Sequence, residues 1–315
     1  MIGPRKPVRL APWLFAALLA MGCGPVRPQP PPIRATAQDL EEASEENDLR
    51  GNFELARQLE ERAIVYYRSV DDTLALARAL NRLGNLLVRS GDREGARAAY
   101  LEAQNVAHAS GHRAEEAAAE SNLGALLESG GDLDGAEAQY AAAAELASAA
   151  GDQAVLATVL NNQGILARKR GQPDQARELF ERALVLDRSS GNRAGEATHL
   201  RNLGALEDAT GRGAEAVAAL EQALAIDRTR ESVSAIALDL VALSEARARS
   251  DNLETAVNER RRARDIHVIL HRPDEIARDD AAIDGWCAGI LAQGRARPLD
   301  CAASERSPAA RTVAE

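Results

Sequence analysis

The sequence predicts an all-α protein, a solenoid of about six antiparallel helix pairs followed by a C-terminal capping helix. A motif recurs every forty residues without a slip in register, which is the signature of stacked repeats. The middle units contain glycines at two turn positions, where helices are expected to end. Aromatic residues make up only 3% of the chain and alanine is abundant, a composition that suits closely packed helices better than a deep sheet core.

Residues 1–22 are typical of an export signal. Arg5, Lys6 and Arg9 form a basic start without acidic residues, and an apolar run follows from position 10 to position 21. This run is too short to cross a bilayer core of about 30 Å, which needs about twenty residues in a helix. The segment is therefore expected to direct export and to be cleaved, not to remain as a transmembrane helix.

The end of this segment resembles the lipobox of bacterial lipoproteins. Ala20, Met21 and Gly22 precede Cys23, and the resemblance implies that Cys23 becomes the lipidated N-terminus. Ala20 stands where the family usually has leucine, so an ordinary secretory signal with an incidental cysteine is the alternative. By the same resemblance, Gly24 is not the aspartate that retains lipoproteins at the inner membrane. An outer-membrane anchor facing the periplasm is therefore favoured.

Residues 23–35 are predicted to form a tether. Their prolines are Pro25, Pro28, Pro30, Pro31 and Pro32. Such a run adopts an extended polyproline conformation of about 3.1 Å per residue. The result is a stiff spacer of roughly 35 Å, which holds the folded part clear of the lipid head groups.

The repeat array occupies residues 36–294. Each first helix carries one small residue, usually preceded by leucine; these residues are Gly84, Gly124, Gly164, Gly204 and Ser244. The turn that follows holds Gly51, Gly91, Gly131, Gly171, Gly211 and Asp251. A second turn closes each unit at Gly111, Gly151 and Gly191. Glycine just past a helix favours a left-handed C-cap, so each repeat is predicted to be two antiparallel helices.

The second helix of each repeat carries two alanine positions on one face. The first position holds Ala56, Ala96, Ala136, Ala176, Ala216 and Ala256, and the second holds Ala63, Ala103, Ala143, Ala183, Ala223 and Ala263. Between them the middle repeats place Tyr100, Tyr140, Phe180 and Leu220. Steps of four and then three keep these residues on one helical face. Small residues therefore lie where helices touch, and one large residue fills the gap.

This pattern resembles the tetratricopeptide repeat, in the longer form of about forty residues found in kinesin light chain and related adaptor proteins. The resemblance implies a right-handed superhelix whose first helices line a concave groove. Neighbouring repeats bury each other's faces, so no single repeat should be stable alone.

The ends of the array depart from this pattern. Glu60 and Arg260 replace the large apolar residue, as expected where a capping repeat meets solvent. Pro273 starts a last amphipathic helix, about 273–293, which we interpret as a C-terminal cap. Residues 295–315 lack periodicity and are predicted to be a disordered tail.

Two cysteines and two histidines near the C-terminus are candidates for chemistry. An exported compartment permits a disulfide between Cys287 and Cys301, which would contribute about 2–4 kcal/mol; two free thiols are the alternative. His267 and His271 have the spacing of metal ligands on a helix. No glutamate follows His267, and a histidine near a helix C-terminus is favourable by itself. No metal site is therefore predicted.

The composition argues against several functions. The formal net charge is −10, and phosphate binding needs a concentrated basic surface. The sequence shows no nucleophile with a placed base, no phosphate loop and no distinctive carboxylate pair. We expect no enzymatic activity, no cofactor, no nucleic acid and no small-molecule substrate.

The predicted groove is the candidate functional site. The residues expected to project into it and to contact a partner are Asn81, Asn85, Arg89, Ser121, Asn161, Lys169 and Arg201. Amides can bind the backbone of an extended peptide, and cations can meet its carboxylates. In the alternative interpretation, Asn122, Asn162 and Asn202 form hydrogen bonds between repeats, and the seven candidate residues are merely solvated.

These features together predict a non-enzymatic, membrane-anchored scaffold or adaptor that binds a protein or peptide partner in the cell envelope. Two alternatives belong to other classes. One is the regulatory subunit of an envelope enzyme, and the other is a self-associating structural protein.

Overall fold

The computed structural model describes residues 33–295 and residue 301. Within them the chain forms thirteen helices and no strand. The helices are α1 (Ile33–Leu49), α2 (Phe53–Ser69), α3 (Thr73–Ser90), α4 (Arg93–Ser110), α5 (Arg113–Ser129), α6 (Leu133–Ala150), α7 (Gln153–Lys169), α8 (Pro173–Ser190), α9 (Arg193–Ala209), α10 (Gly213–Thr229), α11 (Val233–Arg249), α12 (Leu253–Ile269) and α13 (Pro273–Ala292). Residues 1–22, Cys23 and most of the predicted tether lie outside the described residues.

Consecutive helices pack against each other along the whole array. We number the pairs as repeats 1 to 6, from α1–α2 to α11–α12, and α13 packs on α12 as a cap. The odd-numbered helices are called the first helices, and the even-numbered ones the second helices. The predicted all-α solenoid of six helix pairs and a capping helix is confirmed.

Short turns with left-handed residues end the helices. Gly91 (φ 87°) follows α3 and Gly171 (φ 73°) follows α7, because this conformation is costly for a residue with a Cβ. Asp92 then caps α4, its carboxylate accepting from the Gly95 backbone N–H at 2.8 Å. Four non-glycine residues adopt the same conformation, namely Asp71, Glu231, Asp251 and His271.

Within each middle repeat the small residue of the first helix faces the large residue of the second. A Cβ at Gly164 would lie 2.6 Å from Cε1 of Phe180, and one at Gly124 would lie 2.7 Å from Cε1 of Tyr140. Both rings are buried. The glycines are therefore required by the close approach of the rings, as the sequence predicts.

The first helices form the inner layer of the solenoid. Contacts between non-consecutive helices join α3 to α5, α5 to α7, α7 to α9, and α9 to α11. The apolar clusters also cross repeat boundaries: Leu160 and Phe180 of repeat 4 share one cluster with Leu206 of repeat 5. Because neighbouring repeats build one core together, isolated repeats are not expected to fold.

The prediction that Glu60 and Arg260 meet solvent at the array ends is wrong, because both are buried. Glu60 Oε1 lies 3.0 Å from Arg82 Nε on α3. Arg260 Nε lies 2.7 Å from Asp279 Oδ1 on α13, and its guanidinium carbon lies 6.0 Å from the Trp286 ring centroid. Each charge is matched by a neighbouring helix, which is what burial of a charge requires.

A disulfide between Cys287 and Cys301 ties the chain beyond α13 back onto that helix. Cys301 is fully buried in an apolar cluster with Val257, Ile283 and Ile290. The prediction of a disordered tail over 295–315 therefore fails at Cys301, because the bond and this cluster fix its position. Of the described helices, none has the length and apolar character needed to cross a membrane.

Candidate partner-binding groove

One stripe of each first helix faces away from the second helices and lines the inner side of the array. In repeats 3 to 5 the stripe consists of small or uncharged side chains that are exposed or half-buried. They are Ala118, Asn122 and Ala125, then Thr158, Asn162 and Ile165, then Thr198, Asn202 and Ala205. The floor of the middle groove therefore carries amides, hydroxyls and small apolar groups.

An asparagine ladder runs along this floor. We define it as Asn122, Asn162 and Asn202, which lie at the same place in three successive first helices. Each donates its side-chain N–H to the preceding repeat: Asn122 to Asn81 Oδ1 at 3.2 Å, Asn162 to Ser121 Oγ at 3.0 Å, and Asn202 to Asn161 Oδ1 at 2.7 Å. The prediction that these three asparagines hydrogen-bond between repeats is confirmed.

Asn81, Ser121 and Asn161 do not project into the groove as expected. Their exposed fractions are only 8%, 2% and 6%, and each is the acceptor of a ladder bond. At this position the groove face is therefore one residue later in each helix than predicted, whereas Ala125, Ile165 and Ala205, the equivalents of Asn85, lie on the inner stripe as expected. The asparagines of the ladder form hydrogen bonds between repeats and also form the floor of the groove. The same three side chains therefore combine the two roles that the sequence suggested, one structural and one facing the groove.

Arg201 occupies the corresponding position in repeat 5 but turns into the next interface. Its Nε lies 2.5 Å from Asp239 Oδ1 and its Nη2 lies 2.8 Å from Asp227 Oδ2. Both carboxylates are fully or almost fully buried. Burial raises the pKa of Asp239 to about 6, against the opposing effect of Arg201. Arg201 is therefore engaged in neutralising buried carboxylates and not in facing a partner.

The remaining groove candidates also have internal partners. Asn85 Oδ1 accepts from the Tyr100 hydroxyl at 2.7 Å. Arg89 makes two bonds to Asp48, at 2.8 and 2.7 Å, and Lys169 Nζ lies 2.7 Å from Glu128 Oε1. The expected role of Arg89 and Lys169 as free cations for a ligand carboxylate is thus corrected, because each already neutralises a largely buried acid.

These inner ion pairs occur at alternate repeat boundaries. Arg89 pairs with Asp48 between repeats 1 and 2, Lys169 with Glu128 between repeats 3 and 4, and Arg249 with Asp208 between repeats 5 and 6. The intervening boundaries have other pairs: Arg78 of α3 lies 2.7 Å from Glu115 of α5 between repeats 2 and 3, and Arg188 of α8 lies 2.9 Å from Glu196 of α9 between repeats 4 and 5. In the sequence this alternation appears as a pattern that recurs in every second repeat. A comparison of each repeat with the next one does not reveal it.

A buried histidine lies directly beneath the ladder in repeat 5. His199 is 3% exposed, with Nε2 2.8 Å from Asp187 Oδ2 and Nδ1 3.1 Å from Asn161 Oδ1. Burial lowers the pKa of His199, while the Asp187 carboxylate opposes that effect. At the C-terminus, His267 is also buried, 2.6 Å from Asp279, whereas His271 lies in the turn after α12 with φ 53°. No three metal-binding side chains cluster anywhere in the described part of the chain.

The fold and the inner surface together define a helical-repeat protein. Tetratricopeptide-repeat models match residues 77–107, 115–189 and 155–229, so the chain carries tetratricopeptide repeats. Such repeats generally serve as non-enzymatic scaffolds for protein or peptide partners. No curated protein sequence matches the chain.

Solved structures share this fold at low sequence identity. A signal-transduction ATPase with a tetratricopeptide-repeat sensor from Pyrococcus horikoshii is 11% identical with a TM-score of 0.61, over 85% of this chain and 43% of that one. A Rap protein in complex with the Competence and Sporulation Factor is 13% identical with a TM-score of 0.59, over 82% of this chain and 76% of that one. BtubC from P. vanneervenii is 23% identical with a TM-score of 0.50, over 63% and 82%. At these identities the likeness concerns the fold alone.

Proposed function

We propose that this protein is an exported, lipid-anchored scaffold whose groove binds an extended segment of a protein partner in the cell envelope. The observation that carries the proposal is the asparagine ladder. Asn122 and Asn202 are held by their side-chain N–H groups, and within the described residues their carbonyl oxygens accept no hydrogen bond. Those oxygens are available to backbone N–H groups of a ligand.

The spacing of the ladder suits an extended chain. Packed helices lie about 8–10 Å apart, and an extended strand rises about 3.3 Å per residue. One asparagine therefore meets about every third residue of a bound segment. Hydrogen bonds to the ligand backbone would supply affinity, while the small side chains between the asparagines would select what fits.

The charge distribution favours an uncharged segment over an acidic one. In the middle repeats the floor is neutral, and the cation at its edge, Lys169, already neutralises Glu128. A ligand carboxylate would have to displace Glu128, whose side chain is 7% exposed and would then be buried without its partner. We therefore expect small, polar or apolar side chains in the bound segment.

The location in the envelope rests on the basic and apolar N-terminal segment, on Cys23, and on the disulfide. A bond between Cys287 and Cys301 is the kind of bond that persists in oxidising compartments. Metabolic labelling with radioactive palmitate tests the anchor. We expect label in the wild-type protein and none in Cys23→Ser; unlabelled wild-type protein would refute lipidation while leaving the groove proposal intact.

Site-specific photo-crosslinking in the native envelope tests the groove. A crosslinking residue at Thr158, on the inner stripe, is expected to capture one defined partner. A matched probe at Val185, which is 65% exposed on α8, is expected to capture none. Crosslinking from Thr158 should fall in Asn162→Ala/Asn202→Ala while circular dichroism shows an unchanged fold. Equal capture from both probes, or capture insensitive to the ladder variant, would refute the proposed groove.

A further inference from the structure

The interface between repeats 4 and 5 contains a polar site where the preceding interfaces are apolar. Asp187 and His199 stand at positions that hold Ala147 and Val159 one repeat earlier, and Ala107 and Ala119 two repeats earlier; all four of these are fully buried. Asp187 and His199 are equally inaccessible, at 2% and 3% exposure. A histidine and a carboxylate thus replace core packing at this boundary, and at the two boundaries that follow the same positions hold Asp227 with Asp239 and His267 with Asp279.

The surroundings of Asp187 are shaped to hold its carboxylate. Asn192, which caps α9, donates to Asp187 Oδ1 at 3.0 Å, while Oδ2 contacts His199. Gly195 leaves the space that Oδ2 occupies, since a Cβ at that position would collide with it. The corresponding residue in other repeats carries a side chain, as in Val155 and Ala235. Several substitutions therefore combine to accommodate one carboxylate beside the histidine.

Both ring nitrogens of His199 face acceptors. Nε2 faces the Asp187 carboxylate, and Nδ1 faces Asn161 Oδ1, which also accepts from Asn202. Only a doubly protonated imidazole donates from both nitrogens. A neutral ring has one N–H group, so one of its two contacts lacks a proton. The missing proton would cost more free energy at the carboxylate than at the amide, because an amide can rotate and donate a hydrogen bond itself. The neutral ring therefore keeps Nε2–H toward Asp187 and presents a bare Nδ1 to Asn161.

Asn161 is the link from this buried site to the groove. If Nδ1 accepts, the Asn161 carboxamide must turn to donate its Nδ2, and Asn202 must then turn to offer its oxygen to Asn161. On its other side Asn161 contacts Asn162, and Asn162 contacts the hydroxyl of Ser121. The series of amide rotations can therefore end at Ser121 without the loss of a hydrogen bond. A hydroxyl both donates and accepts, so each rung retains a hydrogen bond in either orientation.

We propose that the proton held by His199 and Asp187 selects which end of the Asn202 carboxamide faces the groove. With the proton bound, Asn202 presents its oxygen to a ligand; without it, Asn202 presents its N–H₂. The hydrogen-bonding polarity of the groove at repeat 5 thus follows pH, whatever ligand binds there. The test of this inference needs no partner, and the inference adds to the proposed function that Asn202 offers its oxygen to a ligand backbone in the protonated state.

The charges around His199 define how the site titrates. On α8 the facing group is Asp187, and on α7 the contact is the neutral Asn161. On α9 itself, Glu196 lies one turn earlier but is held by Arg188 and Arg193. Because burial lowers the pKa of His199, acidification below neutrality is the change that adds the proton.

Nuclear magnetic resonance of the purified protein tests the proposal without a ligand. Between about pH 5 and pH 8, the range in which histidine titrates, the side-chain amide signals of Asn202 should shift with the same midpoint as the His199 ring. Asn122 is the internal control, because its acceptor Asn81 has no histidine beneath it and its rung has Ala119 at the equivalent position. Its amide signals should not follow that midpoint.

A non-titrating variant separates the histidine from other sources of pH dependence. In His199→Gln the Asn202 shift should disappear while the Asn122 signals stay as in the wild type. The proposal is overturned if His199 titrates without an accompanying change at Asn202, if the Asn202 shift persists in His199→Gln, or if His199 does not titrate in this range. The wild-type titration alone decides the first and third outcomes, even if the variant folds poorly.

Discussion

Replacing Gly164 by alanine should separate the two opposite effects of glycine in a helix. Alanine is favoured over glycine in a helix interior by about 1 kcal/mol. At Gly164, however, the new Cβ would lie 2.6 and 2.7 Å from Cε1 and Cδ1 of Phe180. Because Phe180 is fully buried, its ring cannot move aside into solvent. Overpacking of this kind costs about 1–3 kcal/mol, so the net effect is a loss of up to about 2 kcal/mol.

Gly285 provides a matched control within the same protein. It lies in the interior of α13, and a Cβ there would have no heavy atom within 4 Å. Gly285→Ala should therefore show only the gain of about 1 kcal/mol from helix propensity. The expected difference between the two variants is the overpacking energy alone, about 1–3 kcal/mol.

Urea unfolding followed by circular dichroism measures both variants, with transition midpoints compared because repeat arrays need not unfold in two states. A second-site change identifies the cause. In repeat 5 even a leucine partner, Leu220, would lie 2.7 Å from a Cβ at Gly204, so the large side chain has to be removed altogether: Gly164→Ala should cost less in a Phe180→Ala background than in the wild type. If Gly164→Ala is as stable as Gly285→Ala, the close approach of the ring does not explain the glycine.

Two further predictions concern stability. Burial raises the pKa of Asp239 from an ordinary value of 3.8 to about 6; an acid with a raised folded-state pKa binds more protons when folded, so its contribution to stability falls as pH rises from about 4 to about 6. Asp239→Asn should flatten the pH dependence of the urea midpoint in that window, and an unchanged slope would contradict this assignment. Glu231 has φ 55°, so Glu231→Gly should gain about 0.5–1 kcal/mol from relief of left-handed strain. Glu231→Ala keeps the Cβ and should gain nothing by thermal unfolding; an equal gain would point to charge as the cause.

The stacking of the helices could be predicted because it depends on residues that recur. Gly164 faces Phe180 in the same way as Gly124 faces Tyr140. The residues of such a recurring contact are found at a fixed spacing in the sequence. At the ladder position the prediction missed the groove face by one residue, and one residue turns a helix by about 100°. That rotation moves Asn161 from the floor to the interface and puts Asn162 on the floor. A forty-residue period fits both positions equally well, so only coordinates distinguish them.

The charged residues were harder to place because their partners lie in other repeats. Glu60 and Arg260 depart from the repeat pattern, and departure alone does not distinguish an exposed cap from a buried charge. Their burial depends on Arg82 and Asp279, which are distant in sequence and meet them through helix packing. Asp187 and His199 are a similar case, since a lone histidine in a helix gives no sign that a carboxylate stands opposite.

The alternation of inner ion pairs has a mechanical consequence for any bound chain. Lys169 and Glu128 join repeats 3 and 4 on the inner side, so Asn122 and Asn162 belong to one braced unit with a fixed spacing. At the next boundary the corresponding residues are Ala209 and Arg168, and the inner brace is missing there. On the inner side of that boundary the first helices are joined by the contacts of Asn161 with Asn202 and with His199. The site formed by His199 and Asp187 therefore lies at a boundary whose inner side is joined by neutral hydrogen-bonding groups where the preceding boundary has an ion pair.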